Sequence, residues 1–214
     1  MKKYDLIVIG TGAANIVADA AVKAGEKVAL IERRHLGGTC LNHGCIPTKV
    51  LCSVADIVVE SEKYESLGIE TAQLKPNWDK VRDRVFSTIE GQRSFLDDYY
   101  EEMEGLDLYR GTARFIGEKE MVIEDDDDEI GHISADKILN ATGGRTRVPD
   151  VEGIDQIAYL SSEAFFDRET YPKEAPSSLI LVGGGPIGIE FAHLFAAFGT
   201  DVTIIQRNVR LVPK

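Results

Sequence analysis

The alternation of apolar and polar positions divides the chain into short strands and helices. A compact apolar run at 4–9 predicts a buried strand, an alanine-rich segment at 16–24 predicts a helix that stops at Gly25, and a second apolar run at 28–31 predicts another strand. The same order of strand, helix and strand returns at 179–182, 189–198 and 202–205. We therefore expect one parallel βαβ unit at each end of the chain.

The middle of the chain has a different pattern. Helical spacing runs from Gly44 to about Lys63 and again over 78–103, and four short apolar runs within 106–141 predict strands. Three prolines then mark 145–176 as a connector with a short helix near 161–166. The predicted division is a first domain at 1–145, a connector at 146–176 and the start of a second domain at 177–214.

Glycine-rich turns follow the first strand of each βαβ unit. Gly10 and Gly12 fit a dinucleotide-binding turn, but Asn15 occupies the third glycine position. Asn15 either donates to a phosphate or loosens the packing of helix on strand. The second turn fits completely, with Gly183, Gly185 and Gly188. Glycine lets the backbone approach a pyrophosphate, and the helix N-terminus supplies free N–H groups, so the pair predicts two dinucleotide sites.

This combination predicts an α/β fold of the Rossmann-like type. The first domain carries an antiparallel β insertion, and a second Rossmann-like domain begins near 177. A complete mononucleotide-binding half needs βαβαβ, whereas the second unit stops after βαβ. We expect the chain to be a fragment of a longer protein.

The ends of the second strands differ in charge. Glu32 is placed to accept both hydroxyls of an adenosine ribose, and the next residue, Arg33, is a second candidate cofactor contact. The corresponding strand of the second unit ends in Gln206-Arg207, with Arg210 close by and no carboxylate. Arginine pairs well with a 2′-phosphate, which favours NADPH over NADH. The alternative is that both arginines are ordinary surface cations.

The composition of the chain indicates which partners and which cellular compartment to expect. The net charge of −12 argues against a nucleic-acid partner, and no apolar run approaches the length of a membrane span. The N-terminus lacks a secretory apolar block, so we expect a cytoplasmic protein. The acidic run at 124–129 predicts a solvated hairpin tip, since it lacks the alternating ligand spacing of a calcium loop.

Two cysteines, Cys40 and Cys45, stand close together just after the first βαβ unit. A disulfide takes up two electrons and two protons to become a dithiol, and a nearby dinucleotide cofactor could supply those electrons. A zinc site would need a second ligand pair, so we predict no metal site. Cys45 begins a predicted helix, where a thiolate is stabilised, and Lys49 lies one turn beyond it. Cys52 is expected to be a buried, unreactive thiol.

The segment 37–49, flanked by two dinucleotide turns, resembles the flavin-dependent pyridine nucleotide–disulfide oxidoreductases of class I. The resemblance implies FAD on the first turn, NAD(P)H on the second, and a Cys40–Cys45 redox disulfide. Cys45 would be the flavin-proximal thiol and Cys40 the thiol that exchanges with substrate. Lys49 and Glu190 would form an ion pair beside the flavin. The remaining implied cofactor contacts are Gly38, Thr39, Ala113, Thr142, Gly143 and Ile187.

The implied activity is electron transfer from NAD(P)H through FAD and the disulfide to a small-molecule disulfide, or the reverse direction with dihydrolipoamide. The family also implies a homodimeric parent, with a catalytic His–Glu pair outside this chain, so the chain alone is expected to be inactive. Two alternatives stay open. One is a flavin-binding redox sensor without a dedicated substrate, and the other is mercuric reductase-type action on a soft metal ion.

Overall fold

A computed structural model describes residues 1–70, 72 and 74–212. The strands are β1 (Lys2–Ile9), β2 (Val28–Glu32), β3 (Leu106–Arg110), β4 (Thr112–Phe115), β5 (Glu120–Asp125), β6 (Asp128–Asn140), β7 (Ser178–Val182) and β8 (Asp201–Ile205). The α-helices are α1 (Asn15–Lys23), α2 (Gly38–Asn42), α3 (Cys45–Ser61), α4 (Trp78–Glu101), α5 (Ser162–Phe165) and α6 (Pro186–Ala197). Single 3₁₀ turns lie at Glu65–Leu67 and Ile154–Gln156.

The chain forms two compact units, and neither is a continuous segment. The first unit comprises Met1–Asn42 and Glu90–Val148, and the second comprises His43–Ile89 and the chain from Pro149 onward. One division falls inside α4, so this long helix contributes to both units. The predicted cofactor-binding domains, with boundaries at 145 and 176, are continuous segments of sequence. The two compact units are not continuous, so they do not test these boundaries, which stay a prediction.

The first unit is built on a six-stranded sheet of order β3-β2-β1-β6-β5-β4. The strands β1, β2, β3 and β6 are parallel, while β4 and β5 add an antiparallel edge. The predicted α/β class with an antiparallel insertion is confirmed. The structure adds two details: β3 belongs to the parallel part, and the short strand predicted at 137–141 is the last part of a 13-residue strand.

The length of β6 follows from its two partners. Its first half pairs antiparallel with β5, and its second half pairs parallel with β1 from Ile133 to Asn140. Apolar side chains cover both faces of the central strands, where Ile7, Val8 and Leu30 are completely buried. Parallel strands buried on both faces read as continuous apolar runs, which explains why the sequence predicts them clearly.

A polar network closes the sheet at the start of its strands. The Tyr4 hydroxyl donates to Asp107 Oδ2 at 2.6 Å and lies 2.7 Å from the Tyr109 hydroxyl. Lys2 Nζ lies 2.6 Å from the same carboxylate. Burial raises the pKa of Asp107, but the hydrogen bonds from Lys2 and Tyr4 outweigh it and leave the pKa below its usual value.

The acidic run forms the tip of the β5–β6 hairpin, as predicted. Asp125 pairs with Asp128, and the two residues between them have φ values of 45° and 72°. A two-residue hairpin turn with both central residues in the left-handed region is of type I′. Aspartate tolerates this region better than most residues, so the acidic tip suits the turn as well as the solvent.

The second unit packs α3 and α6 around an aromatic core. Phe165, Tyr171, Phe191 and Phe195 are buried there, and the Trp78 ring stacks on Tyr171 with centroids 5.4 Å apart. The strands β7 and β8 pair in parallel, which confirms the predicted βαβ unit. One face of this pair lies on the core, whereas the other is exposed and apolar, with Ile180, Val182 and Ile205. Among the described residues, no helix combines the length and apolarity that a membrane span requires.

Candidate functional site

The first glycine turn is shaped by close backbone approaches. The Gly10 N–H donates to the Ile31 carbonyl at 2.8 Å, and φ at Gly10 is +97°. A Cβ at Gly10 would overlap the Ala141 carbonyl oxygen at the end of β6. Glycine is therefore required here by the neighbouring strand and by the backbone conformation, before any ligand is considered.

A second close approach joins the turn to the segment that carries Cys40. A Cβ at Gly38 would lie 2.5 Å from the Gly12 Cα, so the two backbones pass each other directly. A Cβ at Gly12 would meet only the Gly38 Cα, at 4.0 Å. The helix α1 begins beside this open space, and its N-cap residue Ala14 provides no side-chain cap. The positive end of this helix and the open glycine face fit a pyrophosphate.

The Glu32 carboxylate is fixed at the end of β2 by three hydrogen bonds. The Thr11 N–H and hydroxyl donate to Oε2 at 3.1 and 2.7 Å, and the Arg34 N–H donates to Oε1 at 3.0 Å. An ionised carboxylate offers about four acceptor sites, so Oε1 can still accept from a ribose hydroxyl. Arg33, the other residue predicted here, is exposed.

Thr11 is a residue that sequence reasoning missed. It is 1% exposed, and its hydroxyl also accepts the Gly37 N–H at 3.1 Å. It thus connects the glycine turn, the end of β2 and the start of the cysteine segment. A threonine between two glycines carries neither periodicity nor charge, so its sequence context gives no signal of this role.

Asn15 lies near Tyr100 of α4, and burial together with Asp19 raises the pKa of the Tyr100 hydroxyl. The third position of the first turn is therefore close to α4. A contact from Asn15 to a phosphate stays a prediction.

The cysteine segment of the first unit is a short helix held by a buried side chain. Asn42, the last residue of α2, donates to the Leu36 and Gly38 carbonyls at 2.9 and 2.8 Å and accepts from Arg93 Nε at 2.6 Å. Thr39 and Cys40 are exposed on this helix.

The remaining predicted cofactor contacts of the first unit lie at strand ends. Ala113 pairs with Ile123 across the β4–β5 ladder. The Thr142 N–H donates to Asn140 Oδ1 at 3.3 Å, and Gly143 has a φ of +76°. Their roles toward a cofactor stay predictions.

In the second unit, Cys45 is the first residue of α3 and is exposed. Its N-cap is Gly44, which provides no side-chain cap, so the positive end of the helix is free to act on the thiol. Lys49 follows one turn later, and its Nζ lies 2.6 Å from Glu190 Oε1 on α6. The hydrogen bond and charge of Glu190 raise the pKa of Lys49, so the amine stays protonated.

A hydrogen bond between two further side chains joins the same two helices. His193 Nε2 on α6 lies 2.8 Å from Asp56 Oδ1 on α3. Cys52 lies between Lys49 and Asp56 along α3 and is buried, as predicted. Burial raises the pKa of the Cys52 thiol, and the Glu190 charge adds to this, so Cys52 is a poor nucleophile.

The second glycine turn repeats the backbone hydrogen bond of the first. The Gly183 N–H donates to the Ile205 carbonyl at 2.9 Å, and φ at Gly183 is +116°. A Cβ at Gly188 would overlap the Gly183 carbonyl, whereas a Cβ at Gly185 would meet nothing within 4 Å. Gly188 thus serves the packing of α6, while Gly185 leaves space at its N-terminus. Ile187 is 57% exposed there.

Gln206 occupies the place that Glu32 has in the first unit. Its Oε1 accepts the Gly184 N–H at 3.2 Å, as Glu32 accepts the Thr11 N–H. The position that carries a negative charge in one unit is neutral in the other. Arg207 and Arg210 follow on the exposed surface. Within the described part of the chain, no cluster of three histidine, cysteine or acidic side chains could hold a metal ion.

Comparisons with known proteins agree with this arrangement. The family model described as pyridine nucleotide-disulphide oxidoreductase matches residues 4–214. A dihydrolipoyl dehydrogenase of Acholeplasma laidlawii is 34% identical over 99% of the chain and 62% of its own length. A mercuric reductase of Lysinibacillus sphaericus is 31% identical over 98% of the chain and 37% of its own length.

The fold also matches a solved structure. The copper(II) complex of RclA, an HOCl-induced flavoprotein disulfide reductase from Escherichia coli, superposes with a TM-score of 0.83 at 31% identity. The match covers 100% of this chain and 44% of RclA. The chain thus spans between about a third and three fifths of the length of such relatives.

Proposed function

Because the chain belongs to the pyridine nucleotide-disulphide oxidoreductase family, we propose that it carries the FAD site, the redox disulfide and part of the NAD(P)H site of an FAD-dependent disulfide oxidoreductase. The single observation that carries the proposal is the repeated turn. Each unit has a glycine N–H bonded to the next strand, followed by an N–H bonded to the side chain at the strand end. Such a turn is typical of dinucleotide sites, and this supports one proposed site in each unit.

The first turn holds FAD in this proposal. The open face of Gly12 and the uncapped α1 receive the pyrophosphate, and Glu32 accepts from the adenosine ribose. Ala113, Thr142 and the segment at 38–39 complete the contacts. Bound there, FAD would supply the two-electron chemistry that links a nicotinamide to a disulfide.

The two cysteines divide the thiol chemistry. Cys45 is held at the N-terminus of α3, which has no side-chain cap. Lys49, protonated and fixed by Glu190, adds a positive charge one turn further on. Cys40 attacks the substrate disulfide and releases one thiol, and Cys45 then displaces the second thiol as the Cys40–Cys45 disulfide forms again. Two electrons and two protons thus pass to a small-molecule disulfide, which leaves as two thiols.

The second turn holds the nicotinamide cofactor, and we propose that NADPH is preferred to NADH. A carboxylate at position 206 would repel a 2′-phosphate, and the neutral Gln206 amide does not. Arg207 is exposed beside it and can pair with the phosphate. The proposal also includes a homodimer in the cytoplasm, which analytical ultracentrifugation and cell fractionation test.

The test of the flavin and thiol roles is spectroscopic. The purified chain is loaded with FAD, reduced by two electrons, and examined for a long-wavelength thiolate–flavin band. Cys45→Ser should abolish the band, whereas Cys40→Ser, which has no disulfide to reduce, should show the band before any reduction, while the flavin is still oxidised. Cys52→Ser is the matched control and should behave as the wild type. A band that survives in Cys45→Ser would refute the assignment of the flavin-proximal thiol.

The test of cofactor choice compares two arginines. The ratio of kcat/KM for NADPH to that for NADH is measured in a protein that contains the complete nicotinamide domain. A charge-assisted phosphate contact is worth about 1.5–3 kcal/mol, so Arg207→Ala should lower this ratio by roughly 10- to 100-fold. Arg33→Ala, in the first unit, should leave it unchanged. An unchanged ratio in Arg207→Ala would remove that residue from cofactor selection.

A further inference from the structure

The helix that carries Cys40 cannot hold its shape alone. The helix α2 has only five residues, far fewer than an isolated helix needs in water. Asn42, at its end, is 3% exposed and donates both amide hydrogens backward, to Gly38 inside the helix and to Leu36 before it. Through these two bonds, the Asn42 side chain holds the backbone of the segment 36–42 in place.

The remaining polar atom of Asn42 is bound from another helix. Arg93 of α4 donates Nε to the Asn42 Oδ1 at 2.6 Å. Asn42 therefore makes three hydrogen bonds, and the one from Arg93 is charge-assisted. Since α4 is a long helix of 24 residues, Arg93 anchors the short α2 to a rigid element of the first unit.

We infer that Asn42 and Arg93 are positioning residues for Cys40 and that they favour the disulfide over the dithiol. This inference rests on the proposed Cys40–Cys45 redox pair. A disulfide forms readily when its two sulfurs are held near each other, because the effective concentration of one thiol at the other is then high. With α2 anchored, Cys40 samples few orientations. Without the anchor, α2 frays and the effective concentration falls.

The measurable quantity is the equilibrium with glutathione. One glutathione disulfide oxidises the two protein thiols, forming the Cys40–Cys45 bond and two glutathione thiols, so two electrons and two protons leave the protein. The equilibrium constant for this exchange is measured on the whole chain in glutathione buffers, by alkylation and mass spectrometry. All variants carry Cys52→Ser, which keeps the third thiol out of the count.

The decisive variant is Arg93→Met, which keeps the aliphatic stem and removes the donor. We expect the constant for disulfide formation to fall by about tenfold, which corresponds to a rise of about 30 mV in the reduction potential. Arg84→Met, an exposed arginine of the same helix, should stay within twofold of the wild type. A role in overall stability alone would lower the melting temperature without changing this constant, because destabilisation common to both redox states cancels.

The remaining outcomes distinguish a failure of this inference from a failure of the proposed redox pair. If Arg93→Met does not fold by circular dichroism, Arg93→Gln retains an amide donor and should show a smaller decrease in the same direction. A constant within twofold of the wild type in a folded Arg93 variant overturns the inference and leaves the proposed function intact. A wild-type chain that forms no Cys40–Cys45 disulfide under any glutathione ratio overturns the proposed redox pair, and the inference with it.

Discussion

Thr11→Val tests whether a buried hydroxyl holds the first glycine turn together. Valine has nearly the shape of threonine, so the substitution removes two hydrogen bonds with little change in packing. The Thr11 hydroxyl donates to the Glu32 carboxylate at 2.7 Å and accepts the Gly37 N–H at 3.1 Å. After the substitution, Glu32 loses one donor and the Gly37 N–H loses its acceptor.

The size of the effect follows from these two bonds. A hydrogen bond to a charged group contributes about 1.5–3 kcal/mol, and an N–H left without a partner costs about 1 kcal/mol when it is only partly buried. We therefore expect the free energy of unfolding to fall by about 2.5–4 kcal/mol. For a chain of this size, that corresponds to a drop of roughly 5–15 °C in melting temperature.

The assay is urea unfolding followed by far-ultraviolet circular dichroism. The control is Thr11→Ser, which keeps the hydroxyl and loses a methyl group, and it should cost only about 1 kcal/mol. FAD binding provides an independent readout of the proposed site, because an unfixed Glu32 would weaken the proposed contact to the ribose. The reasoning is refuted if Thr11→Val is as stable as Thr11→Ser.

Three further predictions concern single positions. Gly188→Ala should lower the melting temperature strongly, because its Cβ would overlap the Gly183 carbonyl, while Gly185→Ala, with open space at its Cβ, should be tolerated in a calorimetric scan. Asp107→Asn should flatten the loss of stability on acidification in urea titrations. The pKa of this carboxyl is lowered on folding, so its contribution is present above about pH 4 and disappears as the pH falls further. Replacing residues 126–127 with Asn-Gly should stabilise the hairpin by about 1 kcal/mol in thermal melts, since both positions have positive φ.

The sequence predicts well those elements whose conformation is determined by residues that are neighbours in the chain. The central strands read as apolar runs because both of their faces are buried, and the glycine turns stand out because few residues tolerate their conformation. The length of β6 could not be predicted, because the strand extends along two different partners in succession. Its two halves have unrelated neighbours, and the sequence between them shows no single alternation.

The candidate site likewise has a part that the sequence predicts and a part that it does not. The cysteines, Lys49 and Glu32 belong to motifs that are visible in the sequence. The side chains that fix those motifs come from distant positions: Arg93 lies 51 residues from Asn42. A hydrogen bond between polar side chains so far apart leaves no periodic pattern, and only the folded chain brings it to light.

The chain passes between its two compact units three times, and this limits how the units can be separated or exchanged. Cutting the chain once, at any of these crossings, leaves two other covalent connections in place. A chimera that exchanges one compact unit with that of a relative therefore needs three junctions, one of which falls between Cys40 and Cys45 and another inside α4. Recombination between relatives should preserve both cysteines and α4 as one inherited block.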